Sequence, residues 1–301
     1  MRALVSTAAM GRGTSEARRG APRRGSADRV VVTRAPIPAL RPFVKLLWAS
    51  DEASARQLGG PARELVLPTG AMHLVVRLSD HPLRLYEHLD DQIGRVVGHA
   101  VVGGARAAAY LRDVSGPARS VGAQLLPGAA VLLFGARADE LAGRHTPLED
   151  LWGRSTDEAR ERLIAAGPAE RQLDAFESLL AARLPRVYGL HPAVAHAMER
   201  FSTTHEVLRV VKESGYSHRR FIEVFRAAVG LGPKLYCRVL RFQGALDLVA
   251  ARQEAALVDV ALEAGYSDQP HFQREFREFA GVSPARYRDL SPAFAHHLPL
   301  R

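Results

Sequence analysis

The last third of the chain repeats itself, and this repeat limits the fold more than any other feature. Val207 to Ser217 aligns with Leu257 to Ser267, so that Val210, Glu213, Gly215, Tyr216 and Ser217 recur as Val260, Glu263, Gly265, Tyr266 and Ser267. The second copy then carries one extra residue. Beyond it, Phe221, Phe225, Arg226, Gly230, Pro233 and Tyr236 recur as Phe272, Phe276, Arg277, Gly281, Pro284 and Tyr287. Eleven identities with a single one-residue shift mark two copies of one supersecondary unit.

Each copy follows from local chemistry. A helix over 206–213 or 256–263 ends at Gly215 or Gly265, where a residue without Cβ adopts a left-handed C-cap at little steric cost. Ser217 or Ser267 then supplies a side-chain oxygen to the unpaired N–H groups that open the next helix. In the second copy Asp268 adds negative charge at that positive end, and Pro270 sits in the first turn, where its missing N–H costs little. The two following helices, about 217–229 and 267–279, place Phe221, Val224, Phe225 and Ala228, or Phe272, Phe276 and Phe279, on one inward stripe. Gly230 and Gly281 stop them, and Gly232-Pro233 and Ser283-Pro284 restart the chain as helix. Between the copies, Pro233 to Arg252 predicts one long amphipathic helix with Leu235, Val239, Phe242, Leu246 and Val249 on one face. Gly244 within it costs about 1 kcal/mol relative to alanine and reads as packing space beside a neighbouring helix. Two helix-turn-helix units on such a rod can offer recognition helices to major-groove segments about 34 Å apart.

The residues from Glu206 to Tyr287 resemble the DNA-binding domain of the AraC/XylS transcriptional regulators. The nearest stretch is Gly265-Tyr266-Ser267-Asp268-Gln269-Pro270-His271-Phe272-Gln273-Arg274-Glu275-Phe276-Arg277, followed by Gly281, Pro284 and Tyr287. The resemblance implies base contacts from Arg219, Ile222 and Glu223 in the first recognition helix and from Gln269, Gln273 and Arg274 in the second. Arginine can bond a guanine edge, glutamine an adenine edge and glutamate a cytosine amino group, while Ile222 offers only an apolar contact. Arg220, Arg226, Arg277 and Arg288 are expected on phosphates. Double-stranded DNA is the implied partner. A small-molecule effector, a homodimer and RNA polymerase are the further candidate partners; no cofactor is expected, and no membrane, because no apolar run approaches the roughly 18 to 20 residues that a span requires.

The preceding residues differ in character. Short alternating runs at Arg63 to Leu67, Met72 to Leu78, Val96 to Val102 and Ser120 to Leu125, separated by turns such as Pro68-Thr69-Gly70, predict a small β-rich sandwich or barrel, with Leu40 to Trp48 as an early helix. Helical patterns follow over 129–134, 138–141, 148–152, 156–165 and 169–184. Leu67-Pro68-Thr69-Gly70, Gly122 with Leu126-Pro127-Gly128, and Leu151-Trp152-Gly153 are similar to the effector-side domain of a subgroup of the same regulators, whose N-terminal domain is often cupin-like. The expected fold class is therefore α+β: a β-rich, barrel or cupin-like domain with C-terminal helices over 31–185, then an all-α domain over 186–290. A linker is expected at Pro185 to Gly189, and 291–301, including His296-His297, is expected to be an unstructured tail.

Charge is a poor guide to the partner. The net charge is +9, and all 41 basic residues are arginine except Lys45, Lys212 and Lys234. Residues 1–30 hold seven arginines against two acids and read as a disordered tail, whereas 190–300 hold 14 basic against 12 acidic residues. A single cysteine, Cys237, excludes an internal disulfide, and a cytoplasmic location fits the lack of a secretory signal. The competing class is a barrel enzyme with a DNA-targeting helical module. His73, His81, His88 and His99 suggest it, but they lack metal-binding spacing, so surface or core roles are preferred for them. No catalytic or metal-ligating residue is assigned.

Overall fold

The computed structural model describes residues 29–52, 62–185, 189–292 and 294–300. Most of the Arg-rich N-terminal stretch and the centre of the 185–189 linker lie outside the described residues.

The N-terminal half is built from β1 (Arg29–Arg34), β2 (Val44–Glu52), β3 (Arg63–Val66), β4 (Met72–Arg77), β5 (Leu83–Tyr86), β6 (Arg95–Gly98), β7 (Ala100–Gly103), β8 (Tyr110–Asp113) and β9 (Ala118–Leu125). There follow α1 (Ala129–Phe134), α2 (Ala138–Leu141), β10 (His145–Pro147), α3 (Glu149–Trp152), α4 (Ser155–Ala165) and α5 (Ala169–Ala181). The helical half comprises α6 (Pro192–Phe201), α7 (Val207–Glu213), α8 (His218–Val229), α9 (Pro233–Ala251), α10 (Leu257–Glu263), α11 (Gln269–Ala280) and α12 (Pro284–Leu290), and β11 (His297–Leu300) ends the described chain.

The strands form two antiparallel sheets, a six-stranded one ordered β1-β2-β9-β4-β7-β10 and a five-stranded one ordered β11-β3-β8-β5-β6. They do not close into a barrel, which corrects the cupin-like expectation to two separate sheets. Alternation predicts strands, but closure depends on which edges meet, and no local pattern encodes that. The larger sheet turns Leu47, Leu74, Val76, Val121 and Ala123 into the core. Trp48 faces Gly122 across the β2–β9 ladder, and any Cβ at Gly122 would fall 2.2 Å from the indole.

Three local expectations change. Leu40 to Trp48 is a turn leading into β2, because β1 and β9 pair with this segment on both sides and the ladder outweighs a run whose period is ambiguous. Val96 to Val102 is two strands in different sheets, broken at His99, after Gly98 at φ 141°. The tail is also a strand: His297 to Leu300 pairs antiparallel with β3, the Leu67 N–H donates to the His296 carbonyl at 2.9 Å, and Leu298 is fully buried. Four residues with a proline among them carry too little pattern to announce a strand, and the free edge of β3 supplies the order.

The helical half docks on the N-terminal half through α2, the loops after β7 and β9, and the edge of β3. The Gly128 N–H donates to the Ala228 carbonyl at 3.0 Å, Gly230 packs on Ala105 and Ala138, and Gly281 meets Leu65. Gly244 is exposed, and a Cβ there would meet nothing within 4 Å, so it is not packing space. Gly244→Ala should therefore raise unfolding stability by about 0.5–1 kcal/mol in a denaturant titration; a loss would reveal a neighbour at that site. Leu298→Ala should cost about 2–5 kcal/mol in the same titration, whereas a true tail residue would cost nothing.

Candidate nucleic-acid interface

Both recognition helices are set by the same devices. Gly215 and Gly265 adopt φ of 73° and 81° after α7 and α10. Ser217 Oγ accepts from the Arg220 N–H at 3.3 Å at the head of α8. At the head of α11 the cap is Asp268, which replaces the expected Ser267: its Oδ1 accepts from the His271 N–H at 2.6 Å, and Ser267 Oγ instead bonds Asp268 and the His271 ring. The extra residue in the second copy moves the helix start by one position. Gly230 and Gly281, at φ of 92° and 68°, close the two helices.

The phenylalanines orient the helices. Phe221 and Phe225 stack at 5.9 Å, and Phe225 meets Tyr236 of α9 edge-on at 5.6 Å. In the second unit Phe276 meets Phe272 at 5.6 Å, Tyr287 at 5.7 Å and Phe242 of α9 at 5.3 Å. All of these rings are buried. On α8 this leaves Arg219, Arg220, Glu223 and Arg226 exposed, with Ile222 half-buried. On α11 Arg274 and Arg277 are exposed and Gln269 and Gln273 half-buried. Arg220 and Glu223 pair with each other at 3.0 Å along α8. Being exposed, that pair is worth little and readily exchanges for a phosphate or a base.

Arg288 departs from this set. It is half-buried on α12, its Nη1 donates to the Ala255 carbonyl at 3.0 Å, and Nε and Nη2 are enclosed. Its helix packs on the sheet instead of lining a groove, so the residue ties the loop before α10 to the core. The sequence reading also missed Glu275, which is buried on α11 between Arg238 and Arg241 of α9. A carboxylate standing three residues after Phe272 and beside Phe276 was the available signal.

The N-terminal half places a polar layer between its sheets. Glu64, Tyr110, Arg112 and His297 share one face of the smaller sheet by register. Glu64 accepts from His297 at 3.0 Å and from Arg112, and Tyr110 lies edge-on to His145 at 4.4 Å. Burial, reinforced by Arg106, lowers His73 to about 4 and His145 to about 3, so both are neutral. His81 lies against Gly116, His88 is exposed beside Asp90, and His99 meets the Asp80 carbonyl. Among the described residues no group of three or more His, Cys, Asp or Glu side chains could hold a metal ion, and no helix is long and apolar enough to cross a membrane.

Two capped helices, each exposing arginines, on one shared helix define a double helix-turn-helix DNA-binding domain. Residues 210–289 match the family described as a helix-turn-helix domain, and residues 32–147 match a domain of unknown function (DUF6597). Over 72 residues, 24% of each protein, the chain is 33% identical to an uncharacterized HTH-type transcriptional regulator of Haemophilus influenzae. Over 77 residues, 26% of this chain and 27% of the relative, it is 31% identical to the HTH-type transcriptional regulator ExsA of Pseudomonas aeruginosa. The chain thus spans about a quarter of the length of these curated relatives. ToxT from Vibrio cholerae aligns over 87% of this chain and 98% of its own with a TM-score of 0.41 at 8% identity. ToxT bound to (E)-4-(8-methylnaphthalen-1-yl)but-3-enoic acid does so over 88% and 100% with a TM-score of 0.43 at 7% identity. The C-terminal domain of this chain is an AraC/XylS-type helix-turn-helix domain.

Arg226 is exposed on α8, whereas Arg288 is enclosed on α12. Arg226→Ala should lower the slope of log affinity for DNA against log salt by about one. Arg288→Ala should leave that slope unchanged and cost about 1–3 kcal/mol of stability. Binding at a series of salt concentrations, with a denaturant titration of each variant, checks both.

Proposed function

We propose that the whole chain is a transcriptional regulator that binds double-stranded DNA by laying α8 and α11 in successive major-groove segments. Arg219, Ile222 and Glu223 read bases in one segment and Gln269, Gln273 and Arg274 in the other, while Arg220, Arg226 and Arg277 hold phosphates. The observation that carries this reading is the sequence repeat carried into space: two helices with matched caps and matched buried stripes expose different polar faces from one helix. The curated relatives are named as transcriptional regulators, which favours this over a barrel enzyme with a DNA-targeting module.

The N-terminal half would supply control. A cavity of about 120 Å³ lies at the junction of the two halves, walled by Lys45, Thr69 and Gln124 on one side and Met198, Val229 and Tyr236 on the other. A small effector there would touch the C-terminal end of α8 and the sheet together. Exposed Leu89, Ile93 and Val96 on the β5–β6 hairpin suit a homodimer contact. A regulator of this kind would act on RNA polymerase.

Selection of bound duplexes from a random pool by the full chain should recover an asymmetric site with two recognition segments about one helical turn apart; a pool with no enriched sequence refutes the reading. On the selected site, Arg274→Ala should lose about 1–3 kcal/mol at one base pair and less on scrambled duplex. Equal losses on both would remove Arg274 from the base-reading set.

A further inference from the structure

Within α11 one residue breaks the division between core and solvent faces. Glu275 stands between exposed Arg274 and fully buried Phe276, and is itself only 4% exposed. Two guanidinium groups of α9 close on it. Arg238 Nε donates to Oε2 at 2.7 Å, and Arg241 donates from Nε to Oε1 at 3.1 Å and from Nη2 to Oε1 and Oε2 at 2.8 and 2.9 Å. Each guanidinium is also seated on a ring of the second unit, Arg241 at 4.6 Å over Tyr266 and Arg238 at 5.0 Å over Phe279, and Arg238 reaches Glu278 as well. Burial acts to raise the Glu275 carboxyl, but the arginine hydrogen bonds and charges outweigh it, so the group is held below its ordinary range and stays ionised.

The first unit has no counterpart. Past the inserted residue, the position equivalent to Glu275 is Val224, and among the described residues no ion pair joins α8 to α9. The difference has a mechanical meaning. Apolar packing is non-directional, so a stripe of rings tolerates small rotations and slides of a helix. A carboxylate held by forked donors is directional, because rotating or sliding the helix breaks hydrogen bonds whose groups are buried.

We propose that Glu275 is a positioning residue for DNA reading: gripped by Arg238 and Arg241, it fixes the rotation and axial position of α11 on α9 and so aims Gln273, Arg274 and Arg277 at the groove. The proposal rests on the reading of α11 as a base-reading helix. Glu275 itself touches no base. It also accounts for two arginines of the DNA-binding half that face inward and are not available for phosphate.

The test uses the full chain, the selected duplex and duplexes with single base-pair changes in each segment, with binding followed by fluorescence anisotropy. In the wild type a change in the second segment should lower affinity about tenfold. In Glu275→Gln the same change should lower it by less than about threefold, while changes in the first segment cost the same in both proteins. A uniform loss on every duplex, with second-segment discrimination intact, means that the clamp only stabilises the fold and overturns the proposal. Glu275→Gln leaves buried arginines without their counter-charge and is exposed to misfolding, so Arg241→Lys, which keeps the charge but loses the fork, is measured beside it. Folded Arg241→Lys should show a partial loss of second-segment discrimination; full discrimination overturns the proposal. A wild-type protein that prefers no sequence overturns the regulator reading and this one together, whereas selective binding with an unaltered pattern in the variants overturns this one alone.

Discussion

One helix is a wall of two cores at once, and the DNA-binding half is organised around that constraint. The beginning of α9 gives Tyr236 to the ring cluster of the first unit, and its middle gives Phe242 to the second. Neither helix-turn-helix unit can bury its phenylalanines without it. The two units therefore share a rigid element where a linker would leave them independent. The repeated Pro-to-Tyr segment has the same origin: Pro233 and Tyr236 open α9 as Pro284 and Tyr287 open α12. The first copy runs on into the rod, and the second stops after two turns.

What could be read from the sequence was what is written in neighbouring residues. The glycine stops, the Ser217 cap, the Pro starts and the buried phenylalanine stripes all appear where spacing puts them, because each is decided within a turn or two of helix. The single miss in this set, Asp268 for Ser267, is a shift of one position caused by the inserted residue. Features that depend on distant partners were not legible. The early helix became β2 because β1 and β9 lie beside it, and the strand at 297–300 exists because β3 offers an edge. Arg288 looked like any arginine on a helix near DNA, and only its distance to the Ala255 carbonyl reassigns it.

Charge and function part company for the same reason. Residues 1–30 hold seven arginines against two acids, +5 of the net +9, while the arginines around α11 divide between an outward pair on that helix, Arg274 and Arg277, and an inward pair on α9, Arg238 and Arg241. Count and composition cannot separate these pairs. Helical phase can, once the buried stripe is known. The docking of α8 on Ala105 and Ala138 extends the same logic to the N-terminal half, whose short helix α2 and the loop after β7 meet α8 at its C-terminal end and leave its outward face open.

The strand that closes the smaller sheet has a consequence for how the protein is made. His297 and its hydrogen-bond partner Glu64 are 233 residues apart in the chain, so during synthesis β3 leaves the ribosome long before its neighbour exists. Throughout that interval one edge of the N-terminal sheet offers unpaired N–H and C=O groups to any other strand nearby, the condition under which nascent β-proteins associate wrongly. The N-terminal half thus cannot reach its final form as a self-contained, early-folding module, because its last strand is delivered by the DNA-binding half. Completion of the smaller sheet is in effect a report that α8 and α11 have already been synthesised.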